Sequence, residues 1–301
     1  MVERFKTRMV NVKDMRKGCP AKQMRQTGFQ ATKIEEARNI ISRMKADGAT
    51  VFLSFTANMM ASGLRGLFID MVEEGFVDVV VTTGGSIDHD IIRAYKPYIL
   101  GSFDEDDVGL HKGGVNRIGN ILVPNDRYEL LEKKVTPLFK RLYHKKKTVT
   151  PVELTKYLAD NLKKDTFIRE CSIRDIPVFN PGIIDGALGL QLFFFRQTHR
   201  DFIIDPLGDM QQLLDIVYDS PKTGGIILGG GISKHHTIGA NLLRGGLDYA
   251  VYVTTAAEFD GSLSGAHPRE AKSWGKIREK ARAVTVTGDA TVMLPVIMAT
   301  L

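Results

Sequence analysis

What most limits the fold of this chain is a unit that recurs along it: a short β-branched or aromatic run, a turn of Gly, Ser, Thr and Asp, then a helical stretch. Val51–Leu53 leads into SFTANMMASG, Val77–Val81 into TTGGSIDHD, and Val178–Phe179 into NPGIIDGALG. Ile226–Leu228 leads into GGGISKHH, Tyr249–Val253 into TTAAEFDGSLSG, and Val284–Thr287 into GDATVML. Apolar runs of this length suit strands buried on both faces, and strands that alternate with helices become parallel neighbours. The expected fold is α/β, a doubly wound parallel sheet with helices on both faces.

Helix signals divide the rest. Thr32 and Glu35 form a capping-box pattern, predicting a helix that opens there and stops at Gly48. Thr150 and Glu153 form a second, with Pro151 at the first helical position. Between them, residues 101–147 read as a less regular insertion, with an acidic cluster at Asp104–Asp107 and the basic run KRLYHKKK at Lys140–Lys147. The 301 residues therefore read as one domain, 1–301, carrying that insertion. The basic run reads as the polar end of a solvated helix. Its functional alternative is a docking patch, but no aromatics interleave it as nucleic-acid stacking would need, so no direct nucleic-acid partner is expected.

Composition excludes several classes. Charged residues make up 25% and the net charge is +6, ordinary for a globular chain. Cys19 and Cys171 are the only cysteines, too few for a disulfide scaffold or a Cys-based zinc site. No HExxH occurs, and the adjacent His235 and His236 point apart on a helix, so no metal is expected. No apolar run approaches membrane-spanning length, and the opening residues lack a secretory pattern, which predicts a cytoplasmic protein.

Ligands of open parallel sheets sit outside the carboxyl ends of the strands. Three turns there are rich in small residues: Thr82–Gly85, Gly229–Gly231 and Thr254–Ala257. Each alone reads as a tight turn; several on one rim suit a nucleotide, because glycine admits close approach and free helix-start amides bind phosphate. Neither GxGxxG nor GxxxxGK[ST] occurs. The segment Glu258–Lys276 holds Glu258, Asp260, Glu270, the only Trp (Trp274), and Lys276 after Gly275. Such a lysine usually faces water; beside a Trp that excludes solvent, its pKa falls and it becomes an imine-forming nucleophile. Trp274 alone also reads as a core or interface anchor.

Together TGFQAT (Thr27–Thr32), VVVTTGG (Val79–Gly85), NRIGNILVPN (Asn116–Asn125), ILGGGISKHH (Ile227–His236), DYAVYVTTAAEFDGSLSGA (Asp248–Ala266) and EAKSWGK (Glu270–Lys276) resemble deoxyhypusine synthase, in order from Thr27 to the C-terminus. TTGGSIDHD and GSLSGA resemble its archaeal branch. The resemblance implies a Rossmann-like NAD-binding fold and a homotetramer. It implies transfer of a butylamine unit from spermidine to one lysine of the translation initiation factor five A precursor. NAD stores a hydride there, and an enzyme lysine carries the butyl group as an imine. By motif, Lys276 is the nucleophile. His235, Asp260, Gly261, Ser262, Glu270 and Trp274 fall at the amine site, with Asp88 and His89 beside them. Ala57, Asn58, Thr83, Gly84, Gly85, Asp185, Gly230, Thr255, Ala256, Asp289 and Ala290 fall at the NAD site, with Asp185 and Asp289 both candidates for the ribose.

The chain departs from the eukaryotic pattern at acids that hold the ammonium ends of spermidine: His89, Leu190 and Leu263 stand in their place. An unpaired buried ammonium is costly. Either Asp88, Asp260 and Glu270 suffice, or the donor is another amine, such as agmatine or a diamine. Two further readings stay open: a homospermidine-synthase-like transfer between small amines, and a non-catalytic NAD-binding scaffold acting through Lys140–Lys147.

Overall fold

A computed structural model describes residues 24–25, 27–162, 164–299 and 301; Cys19 lies outside them. In chain order the elements begin with α1 (Phe29–Ala46), β1 (Thr50–Ser54), α2 (Ala57–Ala61), α3 (Leu64–Glu73), β2 (Val79–Val81) and α4 (Gly84–Tyr95). Then come β3 (Ile99–Leu100), α5 (Asp107–Lys112), β4 (Val115–Ile118), β5 (Ile121–Pro124), α6 (Asp126–Lys145) and β6 (Thr148–Val149). Next are α7 (Pro151–Leu162), α8 (Phe167–Ile173), β7 (Val178–Phe179), α9 (Ala187–Thr198), β8 (Ile203–Ile204) and α10 (Gly208–Asp219). The chain ends with β9 (Thr223–Leu228), α11 (Gly231–Leu242), β10 (Leu247–Thr254), α12 (Pro268–Ser273), β11 (Ile277–Thr287) and α13 (Ala290–Met298). This is the α/β alternation read from the sequence.

The chain forms two compact units, where the sequence reads as one domain: a first unit of residues up to Ser54 and from Val217 on, and a second unit of Phe55–Ile216. In the first, four strands pair in parallel. Thr50–Ser54 lies opposite Thr223–Ile227, β9 pairs with β10 at Gly224 to Tyr249, and β10 pairs with β11 from Tyr249 and Arg282 onward. Every residue of β9 is buried. Its Gly224 packs closely: a Cβ there would stand 2.8 Å from the sulfur of Met44 on α1, whose side chain would have to give way. Because all four strands run the same way, the turns after β9, β10 and β11 share one edge of the sheet.

In the second unit β2 and β7 pair in parallel, β3–β5–β4 form a small antiparallel sheet, and β6 pairs with β8. Asp90, fully buried, accepts from Arg65 Nε at 2.7 Å and from the Phe167 and Ile168 amides at 2.9 and 3.0 Å, fastening the start of α8 to α4.

Two expectations are corrected. The first helix opens at Phe29 after Gly28, not at Thr32. Glu35 instead accepts from Arg38 at 2.9 Å inside the helix, an i,i+3 pair that mimics a capping box in sequence. And residues 101–147 are mostly regular, with α5, the β4–β5 hairpin and the twenty-residue α6. α6 buries Leu131, Val135, Leu138, Phe139 and Leu142, a helical stripe hidden by the charges between. The second capping box is as expected: the Thr150 amide donates to Glu153 at 3.0 Å and the Glu153 amide to Thr150 Oγ1 at 3.2 Å.

Candidate active site

The turn after β9 is built by glycine. Gly229 and Gly231 sit at φ 76 and 70, backbone that side chains resist. Gly230 answers to crowding: a Cβ there would come 2.4 Å from the Ser264 Cα, so the 261–266 turn lies directly on it. α11 starts at this point with no side-chain cap, and nothing lies within 4 Å of where a Gly231 Cβ would stand. Its second turn carries His235.

Lys276 is placed by a helix stop. α12 ends at Ser273, and Gly275 follows Trp274 at φ 69. The Gly275 amide donates to Lys272 O at 3.0 Å, and the Lys276 amide donates to Ala271 O at 3.0 Å. These two bonds are the Schellman pattern, in which glycine at the left-handed position closes the helix. The Lys276 carbonyl accepts from the Leu247 amide at 3.1 Å, pinning the residue on its other side. With its backbone held at both ends, Lys276 sends Nζ to 3.3 Å from His235 Nε2 and 5.3 Å from the centre of the Trp274 ring. Trp274 is 65% exposed.

Lys276, Trp274 and Glu270 line a cavity of about 30 Å³ with Lys234, Tyr252 and Leu263, room for a water or two. Lys234, on the same helix turn as His235, is almost wholly buried, and burial brings its pKa down to about 8 against the opposing pull of Glu270. The Tyr252 hydroxyl is buried with no partner among the described residues, and burial raises its pKa. Asp260 is exposed and accepts from the Ser262 amide at 2.7 Å, which shapes the Asp260–Ser262 turn; the Ser262 side chain and then its amide lower the Asp260 pKa. Asp289 spends both oxygens on Thr291, capping α13 at 2.9 and 2.8 Å just before Ala290. Thr255 and Ala256 follow the end of β10, with the Ala256 amide donating to Thr254 Oγ1 at 3.1 Å.

In the second unit, α4 begins at Gly84 after Thr83, again without a side-chain cap. A Cβ on Gly84 would meet Asp185 O at 2.7 Å, and one on Gly85 would meet Ala57 at 2.9 Å. Asp88 accepts from the Ala187 and Leu188 amides at 2.6 and 2.8 Å and so caps α9. Burial raises its pKa to about 7; those two amides oppose the shift and Asp185 adds to it. His89 meets Tyr98 Oη at 2.7 Å, and burial, with Arg93 nearby, lowers its pKa to about 4, so the ring is neutral. Asn58 is exposed and accepts from Thr56 Oγ1 at 2.6 Å. Asp185 is exposed and its carboxylate makes no hydrogen bond among the described residues.

The first unit therefore brings Gly230, His235, Glu270, Trp274 and Lys276 together, with Asp260–Ser262 on the exposed end of the adjoining turn and Thr255, Ala256, Asp289 and Ala290 at the ends of β10 and β11. The second brings Ala57, Thr83–Gly85, Asp88 and Asp185 together. Lys234 and Tyr252 are the residues that reading the sequence missed. Their signal was position: Lys234 falls among the inward residues of GGGISKHH, and Tyr252 lies mid-strand. Of the departures, Leu190 is half-exposed, whereas Leu263 packs against the core around Tyr252, Ala271 and Ile277. Among the described residues no three His, Cys, Asp or Glu side chains gather as a metal site would need.

The sequence profile of deoxyhypusine synthase matches residues 21–301. A relative named as a deoxyhypusine synthase in Thermoplasma volcanium is 50% identical over 274 residues, covering 90% of this chain and 88% of its own. One in Thermococcus kodakarensis is 43% identical over 292 residues, covering 90% and 86%. The crystal structure of an Entamoeba histolytica chain assigned the same name superposes at TM-score 0.72 over 97% of this chain and 96% of that one, at 24% identity, and so shares the fold. With the fold, the motifs and these relatives in agreement, the chain belongs to the deoxyhypusine synthase family of transferases.

Proposed function

We propose that this enzyme moves the aminobutyl group of spermidine, or of a related amine, to one lysine of the translation initiation factor five A precursor, giving deoxyhypusine. Family membership supports the reaction class. The observation that carries the residue assignment is Lys276, fixed by a helix stop with its Nζ 3.3 Å from His235 Nε2.

The residues fit NAD as cofactor. The uncapped helix start at Gly84, beside Thr83 and Gly85 and in the same unit as Asp185, offers free amides of the kind that take phosphate oxygens. Asp185, exposed and without a hydrogen bond, suits a ribose hydroxyl better than Asp289, which is spent on its helix cap. The chemistry NAD supplies when bound is reversible storage of a hydride.

Lys276 acts as the nucleophile. Its lone pair adds to the C=N carbon of the oxidised donor, the departing amine leaves with a proton, and a new C=N bond to Nζ carries the butyl group. His235 is within reach of the proton that Nζ gives up. Trp274 flanks Nζ, its ring centre 5.3 Å away, and Glu270 offers a carboxylate to the cationic end of the amine. The acceptor lysine displaces Lys276 by the same addition and loss.

The inward Leu263, where the eukaryotic pattern has an acid, favours a donor bearing less positive charge than that pattern accommodates. The scaffold reading is weakened by the basic run's own partners: Lys146 pairs with Glu153 at 2.5 Å and Lys147 with Asp201 at 3.1 Å. A homotetramer suits the exposed Leu190, Phe193 and Phe194 on α9; no described helix is long and apolar enough to cross a membrane.

Borohydride trapping tests the proposal. The protein is mixed with NAD and labelled spermidine, agmatine or putrescine, with and without the precursor. A labelled adduct at Lys276 that is absent from Lys276→Ala, and passes to the precursor, supports it. An adduct in Lys276→Ala refutes the residue assignment, and label recovered only in free polyamine favours the small-amine reading.

A further inference from the structure

Lys234 is a buried cation that the reaction above does not use. It is 1% exposed, sits on α11 one residue before His235, and lies with Nζ 4.2 Å from the Tyr252 ring centre. Nζ donates to Leu263 O at 2.7 Å and to Ala266 O at 2.8 Å. Thr254 Oγ1 donates to the intervening Ser264 O at 3.2 Å. So three of four successive carbonyls in the 263–266 turn are held from the core side. The turn also presses on its neighbours: a Cβ on Gly265 would come 1.7 Å from Ala257 O. It leads directly to the His267 cap of α12, the helix that carries Glu270 and whose stop seats Lys276.

We infer that Lys234 is a positioning residue, whose ammonium fastens the 263–266 turn to α11 and so sets Lys276 against His235. A hydrophobic side chain of the same length would leave the Ala266 carbonyl without a donor and the Leu263 carbonyl with only the Ala266 amide at 3.3 Å, and a buried unpaired carbonyl draws in water or moves. The turn and α12 then shift relative to α11, while the strands beneath keep their own hydrogen bonds. Burial lowers the Lys234 pKa, and the two carbonyls are what repay holding a charged amine there. The catalytic part of this inference rests on the proposed function; the structural part does not.

The test compares the native protein with Lys234→Met, and with Lys234→Gln, which keeps N–H donors on a shorter arm should the Met variant fail to fold. Three readouts are taken where circular dichroism shows all chains folded: hydrogen exchange by mass spectrometry, emission of Trp274, the only Trp, and the rate of borohydride-trapped adduct at Lys276. The expected result is exchange at least tenfold faster in peptides covering 258–276, with β9 and β10 unchanged. A shifted Trp274 emission maximum and at least tenfold slower trapping accompany it, and Gln falls between Met and the native chain. Native-like exchange and emission overturn the inference, as does faster exchange spread evenly through β9 and β10, which marks a general loss of stability. If 258–276 loosens in the variants but the native chain itself is never trapped, Lys234 keeps its positioning role and the transferase proposal fails instead.

Discussion

Replacing Gly275 by Ala tests whether the helix stop, and not chance proximity, seats Lys276. At φ 69 an L-residue pays for the left-handed backbone, about 1–2 kcal/mol. Added Cβ bulk counts for little, because the nearest atom, at 3.3 Å, is the flexible end of Leu242. Against the strain stands the stiffer unfolded chain of Ala, worth about 0.4–1 kcal/mol. The net cost is therefore about 1 kcal/mol, read as a lower urea midpoint at unchanged slope with Trp274 fluorescence as the probe. If the backbone relieves the strain by rotating, stability recovers but the Lys276 amide leaves Ala271 O and adduct trapping falls. Gly275→Asn, tolerated in left-handed backbone, loses less of both. A Gly275→Ala protein with native midpoint and native trapping rate would refute the reasoning, for it would have lost neither stability nor geometry where one of them must yield.

Two further outcomes follow from the second unit. Arg65→Ala leaves the buried Asp90 carboxylate with only the Phe167 and Ile168 amides, and is expected to cost about 3 kcal/mol in chemical denaturation; a loss below about 1 kcal/mol would show that those amides suffice. Asp88 has a folded pKa of about 7 against an ordinary value of 3.8, so its protonated form favours the fold. Its contribution is complete below pH 3.8 and is lost as pH rises through 7. Relative to Asp88→Asn, the native protein should therefore gain stability as pH falls from about 8 to 5, measured as the difference in denaturation midpoint; a difference that does not change with pH would show the carboxylate to be ionised throughout.

Much of the strand-end architecture was legible because turns at a ligand-binding edge use small residues that little else requires. Thr82–Gly85, Gly229–Gly231 and Thr254–Ala257 stood out on that ground, and the structure gives each a conformational or packing cause. Charge was harder to read. Thr32 and Glu35 look like a helix opening, yet Glu35 answers to Arg38 three residues on. α6 hid its buried stripe among lysines and glutamates. Asp88 and Asp289 read as ligand carboxylates in the sequence, and their work as caps of α9 and α13 was not legible there, since a cap and a ligand contact use the same side chain and differ only in what stands opposite. For the same reason Lys234, one residue from a histidine singled out in the sequence, gave no sign that it turns inward onto two carbonyls.

If the proposed amine site is right, Leu263 bears on any attempt to convert its amine preference. Its side chain points into the core and its carbonyl rests on Lys234. An aspartate grafted at that position would find a resident cation beneath it before it found a visiting one. The graft would first neutralise the protein's own fastening and only then attract a polyamine, so redesign at this corner has to begin with the lysine.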